Sequence, residues 1–268
     1  MANNPISNID AGGNLIIFVS GYWPGNRHVP YIKRRTYWDA QLKADAVATI
    51  GDREAVFFNG TSTAVGGALS LVLDCFHIEG GSTALGRYEE GQAAAQEQIQ
   101  FFRDELDLEK ANGGNGKLNF VAHSMGVAYA TGMINVLKNA KDKDGNNIFS
   151  PEEFGDAYYF AGYQTEEFPA QGVGNELQFS HTNDVIARAN KINLLPEGNF
   201  HATKFSGNGF AAHSNGNYDD AFKTKGAITA QPHDAGEGHS PDESSGDAPA
   251  APPGGGGEAG DEFEIMPK

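Results

Sequence analysis

Short apolar runs rich in β-formers alternate with longer stretches of helical periodicity along most of this chain. That alternation restricts the fold more than any other feature. "LIIFVSG", from Leu15, reads as a buried strand, and 36–51, "TYWDAQLKADAVATIG", as a helix. "EAVFFNG" (54–60) is a second strand closed by glycine, and "RYEEGQAAAQEQIQFFRDELD" (87–107) an amphipathic helix. "KLNFVAH" (117–123) is a third strand, and "GVAYATGMINVLKNA" (126–140) a helix whose mixed small and apolar faces suit burial. Further strands are expected at 156–162, 176–184 and 200–207. Strands that are apolar on both faces and separated by helices must be covered on both sides. The predicted class is α/β, with a mostly parallel central sheet and helices on both faces.

Two segments stand outside this rhythm. Between the second strand and its helix, two glycine pairs bracket the apolar run "ALSLVLDCF". Its length suits a core helix; its glycines suit the hinges of an apolar flap beside a site. Residues 231–268 are dominated by proline, glycine, serine and acids, which cannot repay the entropy of ordering. We expect a folded domain over 1–230 and a flexible acidic tail over 231–268. The tail carries nine acids and one lysine, a net −8, which is half of the chain's −16.

The folded body is thus moderately acidic, which argues against nucleic acid and against steady docking on anionic lipid. No run approaches the length of a membrane span, so no stable membrane insertion is expected. "MANNPISNID" lacks the basic and apolar regions of a signal peptide, and the single Cys75 forms no internal disulfide framework. Cytoplasm is the expected location, with export by a route that needs no cleaved signal as the alternative. The tail is the expected docking element for a protein partner, although a solubilising role fits the same composition.

The chemistry gathers at Ala122-His123-Ser124-Met125-Gly126, between the third strand and its helix. A serine at such a cramped bend sits in a strained backbone, and residues two before and two after it must be small. The helix start also aims N–H groups and the positive dipole end at any oxyanion formed there. A serine capping the helix is the plainer alternative. "VAHSMG" resembles the "GHSMG" elbow of α/β-hydrolases, lipases and esterases above all, with alanine for the first glycine. The similarity in element order spans roughly residues 12–222.

The resemblance implies an α/β-hydrolase fold and a Ser-His-Asp triad in that family's chain order, serine, acid, histidine. Ser124 is then the nucleophile. Asp184, just past a strand in "ELQFSHTNDVIARAN", is the candidate acid, although it would also suit a helix N-cap. Glu166 and Glu167 are the fallback acids. His213, in the loop "GFAAHSNGN", is the candidate base; His201 competes but lies in an alternating strand pattern. His123 adjoins the serine, points away from the bond-making side, and reads as structural support. The oxyanion donors are the N–H of Met125 and, where lipases carry His-Gly-X, that of Tyr22 in Ser20-Gly21-Tyr22. Tyr22 and Trp23 would line an acyl or leaving-group pocket.

A second signal is independent of the first. "DKDGNNIFSPEE" (142–153) sets Asp142, Asp144, Asn146, the Ile148 carbonyl, Ser150 and Glu153 at the ligand positions of an EF-hand calcium loop. Asn147 stands where that loop requires glycine, and a hydrophilic helix-to-strand loop accounts for the same composition.

The leading expectation is a serine carboxylester hydrolase acting on an ester or lipid, with no cofactor required for chemistry and Ca2+ as the one candidate ion. A calcium-binding adaptor that keeps the fold without chemistry, and a thioesterase or acyltransferase using the same triad, are the alternatives. The chain is also similar to small bacterial lipase effectors and toxins that lack signal peptides.

Overall fold

In the computed structural model, the described residues are 14–21, 37–51, 55–60, 84–187, 190–218 and 221–222. The expected flap, Tyr22, Trp23, Cys75 and the tail lie outside them. Six strands form one sheet: β1 (Asn14–Ser20), β2 (Val56–Asn59), β3 (Lys117–His123), β4 (Phe154–Phe160), β5 (Glu176–His181) and β6 (Phe200–Thr203). Their order is β2-β1-β3-β4-β5-β6, and each neighbouring pair is parallel. The long helices are α1 (Ala40–Ile50), α2 (Ala84–Ala111) and α3 (Gly126–Asn139). The class is α/β.

Both faces of the sheet are buried, and strand periodicity decides which side chain goes where. Leu15, Ile17 and Val19 of β1 pack in one cluster with Phe102 and Leu106 of α2 and Met133 and Leu137 of α3. Their alternates Ile16 and Phe18 pack in a second cluster with Leu42, Ala46 and Ile50 of α1 and with Tyr218 and Phe222. Each such large side chain contributes about 1.5–3 kcal/mol when removed from water. This two-sided burial explains why the strands read as continuous apolar runs.

Local chemistry sets the ends. Asp39 caps α1, its carboxylate accepting the N–H groups of Gln41 (2.8 Å) and Leu42 (3.2 Å). Gly51, left-handed at φ 83°, ends it. Helix α2 runs longer than its amphipathic segment predicts and crosses α3 at close range. A Cβ on Gly91 would stand 2.0 Å from the Tyr129 carbonyl, and one on Gly132 would stand 2.0 Å from that of Tyr88. Both glycines are therefore packing residues, accepted at some helical cost. Strand β4 begins at Phe154, before the expected 156, because Ser150 and Glu153 cap a short turn that delivers the chain directly into the strand. Strand β5 stops at His181, ahead of the expected 184, and Asp184 lies on the turn that follows. Strand β6 likewise ends at Thr203, short of the expected 207. Among the described residues, no helix is long and apolar enough to cross a membrane.

Candidate functional site

The chain leaves β1 for β2 on one side, then crosses to β3 on the other, so the strand order reverses beside β1. The carboxyl ends of the strands at such a reversal form the natural crevice of an open parallel sheet. Ser124 follows the last residue of β3 there, with φ 59°, in the left-handed region that disfavours side chains. Its N–H donates to the Phe160 carbonyl (2.9 Å), and its carbonyl accepts from Val127 (3.1 Å), which fixes the bend between β3 and α3. The small residues of the motif have a concrete cause. A Cβ on Gly126 would stand 2.4 Å from the carbonyl of Val19 and 2.6 Å from that of Ser20, so the elbow is pressed against the end of β1. Ala122 is fully buried. Met125 stands at the N-terminus of α3, where its N–H shares the positive end of the helix. Ser20, the last residue of β1, donates its hydroxyl to the Phe58 carbonyl of β2 (3.3 Å).

His213 reaches Ser124 from 89 positions down the chain: its Nε2 stands 2.8 Å from the Ser124 Oγ. Its Nδ1 stands 2.8 Å from Oδ2 of Asp184. A carboxylate only accepts, so Nδ1 carries a proton, which leaves Nε2 as the ring atom that can accept from the serine hydroxyl. Asp184 uses its two oxygens differently. Oδ2 faces His213, while Oδ1 accepts the N–H groups of Ile186 (2.8 Å) and Ala187 (2.9 Å). One carboxylate thus both faces the histidine and holds the turn at 185–187, where no helix forms for it to cap among the described residues. Burial alone would raise its pKa; the hydrogen bond and charge of His213, with those two amides, hold it below the usual carboxylate value. The carboxylate is wholly shielded from solvent, and the imidazole is 13% exposed.

Other candidates lie elsewhere. His201 is on β6, stacked on Phe179 with ring centroids 5.1 Å apart. Glu166 and Glu167 follow β4, and Glu166 accepts from the Asn190 amide (3.0 Å). His123 is 4% exposed, with Nε2 2.7 Å from the His213 carbonyl and Nδ1 2.6 Å from the Tyr37 hydroxyl. Burial, reinforced by the neighbouring His213, pushes its imidazole down to about 3, so the ring is neutral. Tyr37 and Asn215, which both engage this group, carry no short-range sequence signal. Their partners lie 86 and 178 positions away.

The 142–153 loop is arranged differently from a calcium loop. Its left-handed residue is Gly145 (φ 85°), two positions before Asn147, and Lys141 and Asn147 pair as an antiparallel bridge. Asp142 accepts the N–H groups of Asp144 and Asn146, both at 2.9 Å. The Ile148 carbonyl accepts from Arg103 (3.2 Å), and Glu153 pairs with Arg103 (2.9 Å) and with Lys110. Among the described residues, no three histidine, cysteine or acidic side chains converge as a metal site. Two of the six expected donors face a guanidinium, an arrangement that does not fit a cation.

The Asp-His-Ser chain can move a proton off a hydroxyl while keeping the base oriented, which is the requirement for nucleophilic attack by serine. No protein-family model matches this sequence, and no curated protein matches it either.

Proposed function

We propose that this protein is a serine hydrolase of carboxylic esters, built on an α/β-hydrolase type of fold. The observation that carries the reading is the chain Ser124–His213–Asp184, with both contacts at 2.8 Å, anchored on a serine held at φ 59°. Supporting it are the parallel sheet, the elbow at the strand-order reversal, and the sequence order serine, acid, histidine.

In this reading, Ser124 Oγ attacks the ester carbonyl carbon as its proton passes to His213 Nε2. The carbonyl oxygen becomes an oxyanion beside the Met125 N–H, and the Tyr22 N–H is the second donor expected from the sequence. The imidazolium, held by Asp184, gives its proton to the departing alkoxide oxygen, leaving an acyl-Ser124 ester. Water then attacks the acyl carbon, losing a proton to His213. Collapse of the second tetrahedral species returns that proton to Ser124 and releases the acid.

A fluorophosphonate probe should label the wild type at Ser124, and short p-nitrophenyl esters should be hydrolysed. Unchanged hydrolysis by Ser124→Ala or His213→Ala would overturn the reading.

A further inference from the structure

We propose that Tyr37 and His123 form a positioning strut that sets where the His213 imidazole stands against Ser124. The inference rests on the hydrolase reading above and adds to it two residues that touch no reacting atom.

The need for a strut follows from where His213 sits. It ends a three-residue turn, Ala211–His213, in the loop after β6. The loop's own bonds, Ala212 N–H to Asn208 (3.0 Å) and His213 N–H to Phe210 (3.2 Å), shape the turn but do not fix it relative to the sheet. The contact that ties the His213 backbone to β3 is made by its carbonyl, which takes the Nε2 of His123 at 2.7 Å. His123 is the last residue of β3, directly before Ser124. Two consecutive residues thus hold the same histidine, one by its backbone and one by its ring.

Donor logic then assigns Tyr37. A carbonyl only accepts, so Nε2 of His123 carries the proton, and in the neutral ring Nδ1 is bare. The Tyr37 hydroxyl at 2.6 Å must therefore donate to Nδ1. Its oxygen in turn accepts the N–H of Gly21, the residue that opens the loop after β1. One phenol thereby selects the His123 tautomer that can grip His213, and links both loops flanking Ser124. The far end is planted firmly. Asn215 donates to the Tyr37 carbonyl (2.9 Å) and accepts the N–H of Asp39 (2.9 Å), the residue that caps α1. Without the Tyr37 hydroxyl, the ring is free to move its proton to Nδ1, and a bare Nε2 then faces the His213 carbonyl and repels it.

The test compares Tyr37→Phe, His123→Leu and His123→Gln in the full chain, using p-nitrophenyl acetate and a fluorophosphonate probe. Misplacing a base by about 1 Å costs on the order of a hundredfold, so His123→Leu should lose about a hundredfold in kcat and Tyr37→Phe about tenfold. KM should stay within about twofold, because neither residue touches substrate. His123→Gln, which restores an N–H near the lost Nε2, should recover most of the rate. The His213 Nδ1 proton, assigned by its absence in His213→Ala, should shift in the proton NMR spectrum of Tyr37→Phe.

Wild-type labelling rates in Tyr37→Phe and His123→Leu, with the His213 proton unmoved, would overturn the strut and leave the hydrolase reading intact. A wild type that does not label overturns both. Should His123→Leu fail to fold, Tyr37→Phe, which removes a single oxygen, decides alone.

Discussion

The elbow at Ser124 and the loop at 142–153 both place polar residues at a tight bend, yet they are built on opposite terms. Each bend needs a left-handed residue. The loop gives that position to Gly145 (φ 85°), where an added Cβ would meet nothing within 4 Å. The elbow gives it to a serine (φ 59°). In the loop, Asp142 is satisfied by amides two and four residues on. At the elbow, Ser124 meets a histidine 89 positions away, which meets an aspartate 29 positions before it. A relaxed bend that satisfies itself needs no purpose beyond connecting a helix to a strand. A strained bend held by distant partners persists because the surrounding fold over-determines it, and such strain concentrates at functional sites.

The comparison can be broken most directly at the nucleophile. Ser124→Ala should lose on the order of 10⁵-fold in kcat for ester hydrolysis, because a triad acts as a unit. Substituting Asp142, the loop's central acid, should leave the rate unchanged. Asp184→Asn should cost on the order of 10⁴-fold, since an amide cannot hold the required His213 tautomer, and steady-state kinetics on the purified variant checks it.

The next difference is acid stability. His123 has a folded value of about 3 against the ordinary 6.5, so between these values the unfolded chain binds a proton that the folded chain does not. Its contribution is complete above pH 6.5 and is lost as pH falls toward 3, by roughly 1.4 kcal/mol per pH unit at most. Urea denaturation from about pH 7 to about pH 4 should follow this slope, and His123→Gln should flatten it. Asp184, whose folded value is depressed, adds to the loss only at the acid end, below its unfolded value.

Smaller effects sharpen the contrast. Glu153→Gln, which strips the carboxylate from Arg103 and Lys110, should destabilise by about 1–2 kcal/mol in urea denaturation without touching kcat. With Glu153 so engaged, calcium at about 1 mM should leave the melting temperature in place. The mirror pair should give the smallest shifts, of opposite sign. Ser124→Gly should stabilise by about 0.5–1 kcal/mol as it abolishes activity, and Gly145→Ala should destabilise by a similar amount.

Different residues were legible in the sequence for different reasons. The strands announce themselves as short continuous apolar runs and the α2 and α3 helices as longer amphipathic or small-and-apolar stretches, because burial against a sheet acts on residues a few positions apart. The elbow was legible because its demand for small residues is also local: Gly126 collides with β1 if it grows a side chain. Asp184 and His213 were visible only through a resemblance in element order. Tyr37 and Asn215 were not visible, since nothing near them in the chain reports a partner 86 or 178 positions distant. The 142–153 loop shows the same gap: spacing displays its oxygens but not Arg103, 50 positions before Glu153, which pairs with Glu153 and with the Ile148 carbonyl.

The sequence by itself therefore determined the α/β class, the elements and the strained serine, because each follows from chemistry within about one turn or one strand. Tertiary structure alone decided which imidazole faces Ser124, which oxygen of Asp184 orients it, and that a tyrosine ahead of α1 holds the assembly. Those outcomes depend on which strand ends the crossover connections bring together, and a hydrogen bond between residues far apart in the chain has no local signature.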